Sequence, residues 1–247
     1  MLQGNKKLTR AERMKALPPL DAPITVRLKF AKVGDLQYIS HLDLQRSFNR
    51  ILVRSGLPVW YSKGFNPHIK LVFSTPLSVG TQSECEFLDI RLDREMSCDE
   101  IKDLLNAEMT DELYIKKVYI PRTKFSDIAF CEYEYEIFCD GASVDLAESI
   151  NKLFSESPLN MTKKTKSGER EIDIIPLIKS KLVWFDRESG TLRIKAVLNS
   201  TTENFLNPEM LITALKEKLG VLSGDISKEW YTIIRKCSLT EDLSEFK

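Results

Sequence analysis

The chain has 247 residues, 43% of them hydrophobic and 29% charged, which suffices for one large domain or two small ones with buried cores. Lysine plus arginine equals aspartate plus glutamate at 36 each, so whole-chain charge gives no argument for a polyanionic partner. Five scattered cysteines lack the spacing of zinc, iron–sulfur or disulfide frameworks, and no segment approaches the ~20 apolar residues that span a bilayer. We therefore expect a cytoplasmic protein without metal, cofactor or membrane contact.

The chain begins with a basic, weakly patterned segment, residues 1–23, which predicts a flexible N-terminal arm. Residues Ile24–Ala31 then alternate between apolar and polar types and predict a strand. Ser40 can cap a helix whose first turn contains Asp43. Apolar residues recur at helical spacing up to Gly56, a residue type that favours the end of a helix. The pattern predicts a strand followed by an amphipathic helix.

Two short strands are predicted on either side of a loop at Ser62–Lys70. The remaining predicted elements of this half are a strand at Cys85–Leu92, a helix at Ser97–Asn106 and a strand at Tyr114–Ile120. The order strand, helix, strand pair, strand, helix, strand is typical of a ferredoxin-like βαββαβ unit. We therefore predict a first ferredoxin-like domain over residues 24–120, with a hairpin elaboration.

After a linker near Pro121, a similar series of elements predicts a second ferredoxin-like domain over residues 128–247. Its predicted helices are Val144–Phe154 and Pro208–Leu219, and its strands are Phe130–Phe138, Met161–Lys166, Glu171–Ile178, Leu182–Phe185, Thr191–Asn199 and Trp230–Cys237. The predicted fold class is α+β, with two tandem ferredoxin-like sandwiches.

The helix after Ser40 carries an arginine stripe. Arg46, Arg50 and Arg54 recur every four residues and drift only ~40° per step, so they lie beside the core face. Planar guanidinium groups suit phosphate, to which they can donate two parallel hydrogen bonds. The alternative is a solvated helix face on which Asp43 pairs with Arg46.

The loop after this helix has the sequence YSKGFNPH. Gly64 permits a positive φ, and Pro67 restricts the residue before it to extended conformations. Aromatic side chains beside cations are the combination that single-stranded nucleic acid binders use, with Phe65 or Tyr61 stacking on a base. The candidate ligand contacts are Lys63, Phe65, Asn66, His68 and Lys70. The alternative is a structural turn whose rings lie in the core.

Both histidines of the chain, His41 and His68, lie in this helix and loop. Histidine can act as base and as acid at neutral pH, as cleavage of RNA requires, so these two are the candidate catalytic residues. The sequence does not show that they are close in space. A metal site lacks a third ligand at recognisable spacing.

The stretch SHLDLQRSFNRILVRSGLPVWYSKGFNPHIKLVFSTPLSVGTQSECEFLDI, residues 40–90, resembles the signature of the radical-SAM-linked (radical-SAM-associated) proteins. This is a bacterial domain family of unknown function, whose members occur alone or joined to a radical S-adenosylmethionine enzyme. Because the chain lacks a CxxxCxxC cluster motif, the resemblance implies an associated domain rather than the radical enzyme itself. A weaker likeness of fold is to CRISPR repeat-processing endonucleases, but GVLSGD at Gly220–Asp225 departs from their glycine-rich loop.

Three functions follow from these observations. The first is a non-catalytic accessory module that binds RNA or another anionic substrate for a radical-SAM enzyme in trans. The second is an RNA-processing endoribonuclease that uses His41 and His68. The third is a protein–protein adaptor that docks a partner through the stretch Glu84–Glu112, which has eleven acidic and three basic residues, Asp89 and Asp93 among the acids.

Overall fold

The computed structural model describes residues 16–165, 168–225 and 227–247. The fold is mixed α+β, with a large, mostly antiparallel sheet and four complete α-helices in the described ranges. The chain divides into two compact units. One unit contains the described residues up to Pro76 together with Cys85–Arg122, and the other contains Leu77–Glu84 and Thr123–Lys247.

Within the described residues, the first unit holds two α-helices and four strands of the sheet. Its elements are β1 (Ile24–Lys32), a 3₁₀ helix (Gly34–Tyr38), α1 (His41–Ser55), β2 (Val72–Phe73), β3 (Thr81–Leu92), α2 (Cys98–Asn106) and β4 (Leu113–Tyr119). The strand order is β4-β1-β3, with β2 paired to β3. Residues 1–15 of the predicted arm lie outside the described residues. The later part of the arm is bonded to this unit, because the Leu20 N–H donates to the Asp93 carbonyl (2.8 Å).

Helix α1 begins and ends where its capping residues predict. The Ser40 hydroxyl accepts a hydrogen bond from the Asp43 N–H (3.1 Å), and Gly56 ends the helix at φ 70°. The buried side chains on α1 are Leu44, Phe48, Ile51, Leu52 and Ser55. The predicted amphipathic helix is confirmed.

The core of the first unit lies between its sheet and its helices. Phe48 packs edge-on against Phe30 of β1 (ring centroids 4.9 Å apart) and Phe73 of β2 (5.7 Å). Arg27 and Asp89 make a buried ion pair on neighbouring strands: Arg27 Nε donates to Oδ1 (2.7 Å) and Nη2 donates to Oδ2 (2.9 Å). Their side chains are only 2% and 16% exposed.

The second unit repeats the combination of sheet and helices. Its elements are a 3₁₀ turn (Phe125–Asp127), β5 (Phe130–Phe138), α3 (Val144–Leu153), β6 (Asn160–Thr165), β7 (Gly168–Asp173), a second 3₁₀ turn (Ile175–Leu177), β8 (Ile178–Asp186), β9 (Thr191–Asn199), α4 (Glu209–Leu219) and β10 (Trp230–Leu239). The strand order is β10-β5-β9-β8, and β10 also pairs in parallel with Thr81–Ser83, the start of β3, which belongs to this unit. Strands β6 and β7 form a separate hairpin.

Strand β5 shows how the two faces of the second sheet differ. Tyr133, Tyr135 and Ile137 are buried, whereas the alternating glutamates between them are part exposed. The Tyr135 hydroxyl donates to the Pro208 carbonyl at the start of α4 (3.0 Å), which places α4 on the buried face. The opposite face carries the charges.

The α+β class is confirmed, and the tandem ferredoxin-like arrangement stays a prediction. The predicted strand before the loop is replaced by isolated bridges at Val59 and Tyr61, and only Val72–Phe73 forms a strand after it. The last residue of the predicted strand Met161–Lys166 lies outside the described residues, as does Ser167. No helix in the described ranges combines the length and the apolar content that crossing a membrane requires.

Candidate functional site

The predicted loop is an interruption of the sheet edge beside β3. The Trp60 N–H donates to the Arg91 carbonyl (2.8 Å), and the next regular pair joins Val72 to Asp89. One residue of β3 separates Arg91 from Asp89, whereas residues 61–71 separate Trp60 from Val72. We call residues 61–71 the edge loop. The chain leaves β3 after Trp60 and pairs with β3 again at Val72, only two residues along that strand, as in a greatly enlarged β-bulge.

The edge loop is closed at its base by backbone and side-chain hydrogen bonds. Tyr61 forms a β-bridge with Ile69, which is buried in the core of the first unit. The Ser62 N–H donates to the His68 carbonyl (2.9 Å), and the Ser62 hydroxyl accepts from the His68 N–H (3.1 Å). The same hydroxyl lies 2.9 Å from His68 Nδ1, which is also 3.3 Å from the Asn66 carbonyl oxygen. The loop is thus braced at its base.

Phe65 lies at the tip of the edge loop and is fully exposed. It follows Gly64, whose φ of 136° is a conformation that side chains rarely adopt. Lys63 and Lys70 are exposed, and neither has an ion pair within the described part of the chain. The edge loop therefore carries one fully exposed phenylalanine ring, and the exposed lysines Lys63 and Lys70 lie on either side of it in the sequence. Asn66 is exposed beside the ring.

The arginine stripe on α1 is partly engaged in ion pairs. Arg46 pairs with Asp43 (3.2 Å), and Arg54 pairs with Glu108 (3.0 Å). The Ser40 hydroxyl, and then Arg46, lower the pKa of Asp43 below its usual value. Arg50 is exposed and has no ion pair among the described residues. Of the three arginines, Arg50 is thus the one ready to contact a phosphate.

The two histidines lie in different surroundings. His41 is the first residue of α1, and its ring packs edge-on against Phe73 of β2 (4.9 Å). His68 is held by Ser62 within the edge loop. Among the contacts of the described residues, no hydrogen bond or ring contact joins the two imidazoles. The endoribonuclease function stays a prediction.

Part of the acidic stretch is engaged within the protein. The Asp89 carboxylate binds Arg27, Glu108 binds Arg54, and a Glu112 oxygen accepts from the Asp35 N–H (3.3 Å). These contacts leave fewer acids for an adaptor surface than the sequence suggests. Across the described ranges no group of three or more histidine, cysteine, aspartate or glutamate side chains is placed to hold a metal ion.

Sequence reasoning missed the bracing of the edge loop by Ser62 and Ile69. A serine six residues before a histidine is too common to indicate such a contact. It also missed the ion pair between Arg54 and Glu108, because Glu108 lies in the connection between α2 and β4, far from Arg54 in the sequence.

Comparison with known proteins adds a family. The family model described as "Uncharacterized protein conserved in bacteria (DUF2344)" matches residues 25–208. That description names no activity and no radical-SAM enzyme. No curated protein matches the chain.

Solved structures show only remote likeness. The crystal structure of an unknown protein from Galdieria sulphuraria has 11% identity and a TM-score of 0.26, covering 87% of this chain and 99% of that one. Two DypB variants from Rhodococcus jostii RHA1 in complex with heme have 10% and 13% identity and TM-scores of 0.20. Each covers 89% of this chain and 94% of its own. TM-scores this low support no argument about fold or function.

Proposed function

The chain belongs to this uncharacterized bacterial family, and we propose that it is an accessory binding module that recognises RNA or another anionic substrate. The observation that carries the proposal is Phe65, a fully exposed ring on a loop that is braced at its base. An apolar ring held in water on a defined loop is available for stacking on a base without a change in the protein. Such stacking contributes about 1–3 kcal/mol per base.

The cations of the edge loop and of α1 suit a phosphate backbone. Lys63 and Lys70 belong to the same edge loop, and Arg50 is the unpaired arginine of α1. Asn66 and His68 supply polar groups that can contact the edge of a base. Arg46 and Arg54 would first have to leave their carboxylate partners, so they contribute less.

Fluorescence anisotropy with a labelled, unstructured single-stranded RNA tests the proposal. Three free cations predict a slope of log affinity against log salt of about −2, rather than about −3.5 for all five cations. Phe65→Ala should weaken binding roughly tenfold, and Lys63→Glu should weaken it and reduce the slope. Ile120→Ala, which removes an exposed apolar side chain outside the edge loop and α1, is the control. Parent-like affinity of both loop variants would exclude the edge loop as the site.

We also propose that the module serves a radical-SAM enzyme in trans. Support comes from the likeness of residues 40–90 to the radical-SAM-linked proteins. Size-exclusion chromatography of the chain with a radical-SAM enzyme from the same genome should give one co-eluting peak. Separate elution of the two proteins at micromolar concentrations would contradict this part and leave the RNA proposal standing.

The tandem ferredoxin-like arrangement belongs with these proposals. Supporting it, the unit orders β4-β1-β3-β2 and β10-β5-β9-β8 are alike once the β6–β7 hairpin is set aside. In each unit the last strand lies beside the first, and the third lies between the first and the second. Interstrand NMR contacts between β1 and β4 and between β5 and β9 test these pairings, and their absence would contradict the arrangement.

A further inference from the structure

The second unit has a sheet face that is not covered by its own helices. In the strand register, Trp184 of β8 lies opposite Arg193 of β9, which lies opposite Glu136 of β5. Leu182 likewise lies opposite Lys195, which lies opposite Glu134. One strand further, Phe138 pairs with Trp230. We call this surface the open face; its residues are Leu182, Trp184, Asp186, Arg193, Lys195, Glu132, Glu134, Glu136, Phe138 and Trp230.

The open face exposes large apolar side chains at both ends. Leu182 is 60% exposed and Trp184 39% on the β8 side. On the β10 side, Phe138 is 40% and Trp230 45% exposed, and their rings stack with centroids 6.0 Å apart. Exposed aromatic groups around charges are typical of protein interaction surfaces, where tryptophan is enriched.

The charges between these ends favour a cationic partner. Four acids and two bases lie on the open face, a net charge of −2, which disfavours nucleic acid. Arg193 pairs with Glu136 (2.8 Å) and Lys195 pairs with Glu132 (3.1 Å). Glu134 lies near Lys195 but makes no ion pair among the described residues. It is the acid most open to a new partner.

Helix α1 has the complementary composition. Its exposed side combines Leu42 (52% exposed) and Val53 (60%) with Arg50, which has no ion pair in the described chain. We propose that α1 of a second copy of this protein lies across the open face, with its Arg50 opposite Glu134. Eight residues of helix from Leu42 to Arg50 span about 12 Å.

The sheet offers a matching separation. Leu182 lies two strands from Glu134, which is about 10 Å. Leu42 therefore meets the apolar end formed by Leu182 and Trp184. Self-association of this kind goes beyond the proposed RNA binding, and it covers the arginine that the RNA proposal uses. The two activities should compete for α1.

Sedimentation velocity on the full chain over a concentration series tests the contact. We expect a concentration-dependent complex of two or more copies that weakens at high salt. Arg50→Glu and Glu134→Lys should each weaken it at least roughly tenfold, because like charges then face each other. Mixing these two variants should restore a complex through the reversed pair. Glu148→Lys on the exposed side of α3 is the control with the same charge change.

The outcomes separate this inference from the RNA proposal. Glu134→Lys should weaken self-association and not weaken RNA binding, whereas Lys63→Glu should weaken RNA binding and leave self-association unchanged. Trp184→Ala tests the apolar end without any change of charge and should also weaken the complex. A parent protein that sediments as a monomer throughout, or a variant mixture that stays dissociated, overturns the contact whatever the RNA result.

Discussion

Replacing Asp89 with asparagine should destabilise the first unit strongly. The Asp89 carboxylate accepts two hydrogen bonds from Arg27, at 2.7 and 2.9 Å. Asparagine keeps the shape but removes the negative charge, so the Arg27 guanidinium stays buried without its counter-ion. The Arg27 side chain is 2% exposed, so water cannot take the place of the carboxylate.

The expected loss in free energy of unfolding is about 3–5 kcal/mol, the range measured when one member of a buried ion pair is removed. For a chain of this size that corresponds to a fall in melting temperature of roughly 10 °C. Urea unfolding followed by circular dichroism, with thermal unfolding as a second measurement, gives both values. The double replacement Arg27→Met with Asp89→Leu should recover most of the loss, because neither charge of this buried pair then remains.

Asp111→Asn is the matched control, since Asp111 is exposed and the chemical change is the same. It should alter the free energy of unfolding by less than about 0.5 kcal/mol. A loss below about 1 kcal/mol for Asp89→Asn would refute the reasoning. It would mean that the Asp89 carboxylate is free to dock a partner, as the adaptor hypothesis requires.

Three further predictions concern the core, the edge loop and a half-buried acid. Phe48→Ala should lower the free energy of unfolding by about 3–5 kcal/mol in urea, because it removes a fully buried ring. Ser62→Ala should speed hydrogen exchange at the His68 amide without changing the melting temperature, because it removes only the brace of an exposed loop. Burial raises the pKa of Glu209, while the Tyr231 hydroxyl that donates to it opposes the rise. A raised pKa means that folding favours the protonated acid, so stability falls as pH rises through the ordinary and then the folded value. Glu209→Gln should therefore raise the free energy of unfolding at pH 7 by less than about 1 kcal/mol, which thermal unfolding would register as a higher melting temperature. Below pH 4 the substitution should have no such effect.

Local signals in the sequence predicted the local structure well. Helix α1 depends on Ser40, on apolar spacing and on Gly56, all within one segment, and each is found as expected. The alternation in β5 likewise required only neighbouring residues to show which side chains are buried. Capping and periodicity act over a few residues, so they can be interpreted without knowledge of the fold.

Contacts between distant residues could not be predicted in this way. Arg54 and Glu108 lie far apart in the chain, so nothing in the helical stripe indicates that one of its cations is already paired. The pairing of residues with β3 is likewise not local. Where two strands were predicted around the loop, the structure has isolated bridges before it and the short strand β2 after it. The family resemblance drew attention to residues 40–90 but could not show which of their charged side chains are already paired.

Two explanations compete for the edge loop, and Phe65 separates them. Proteins protect exposed sheet edges with lysines, prolines and bulges, and Lys63, Pro67 and Lys70 fit that purpose without any ligand. Protection does not account for a fully exposed phenylalanine, because an apolar ring at an unprotected edge promotes association rather than preventing it. If the loop only protected the edge, Phe65→Ser would raise solubility and change no binding. If the loop binds RNA, the same variant loses affinity while Lys63 and Lys70 remain in place, so the ring is the residue on which the binding proposal depends.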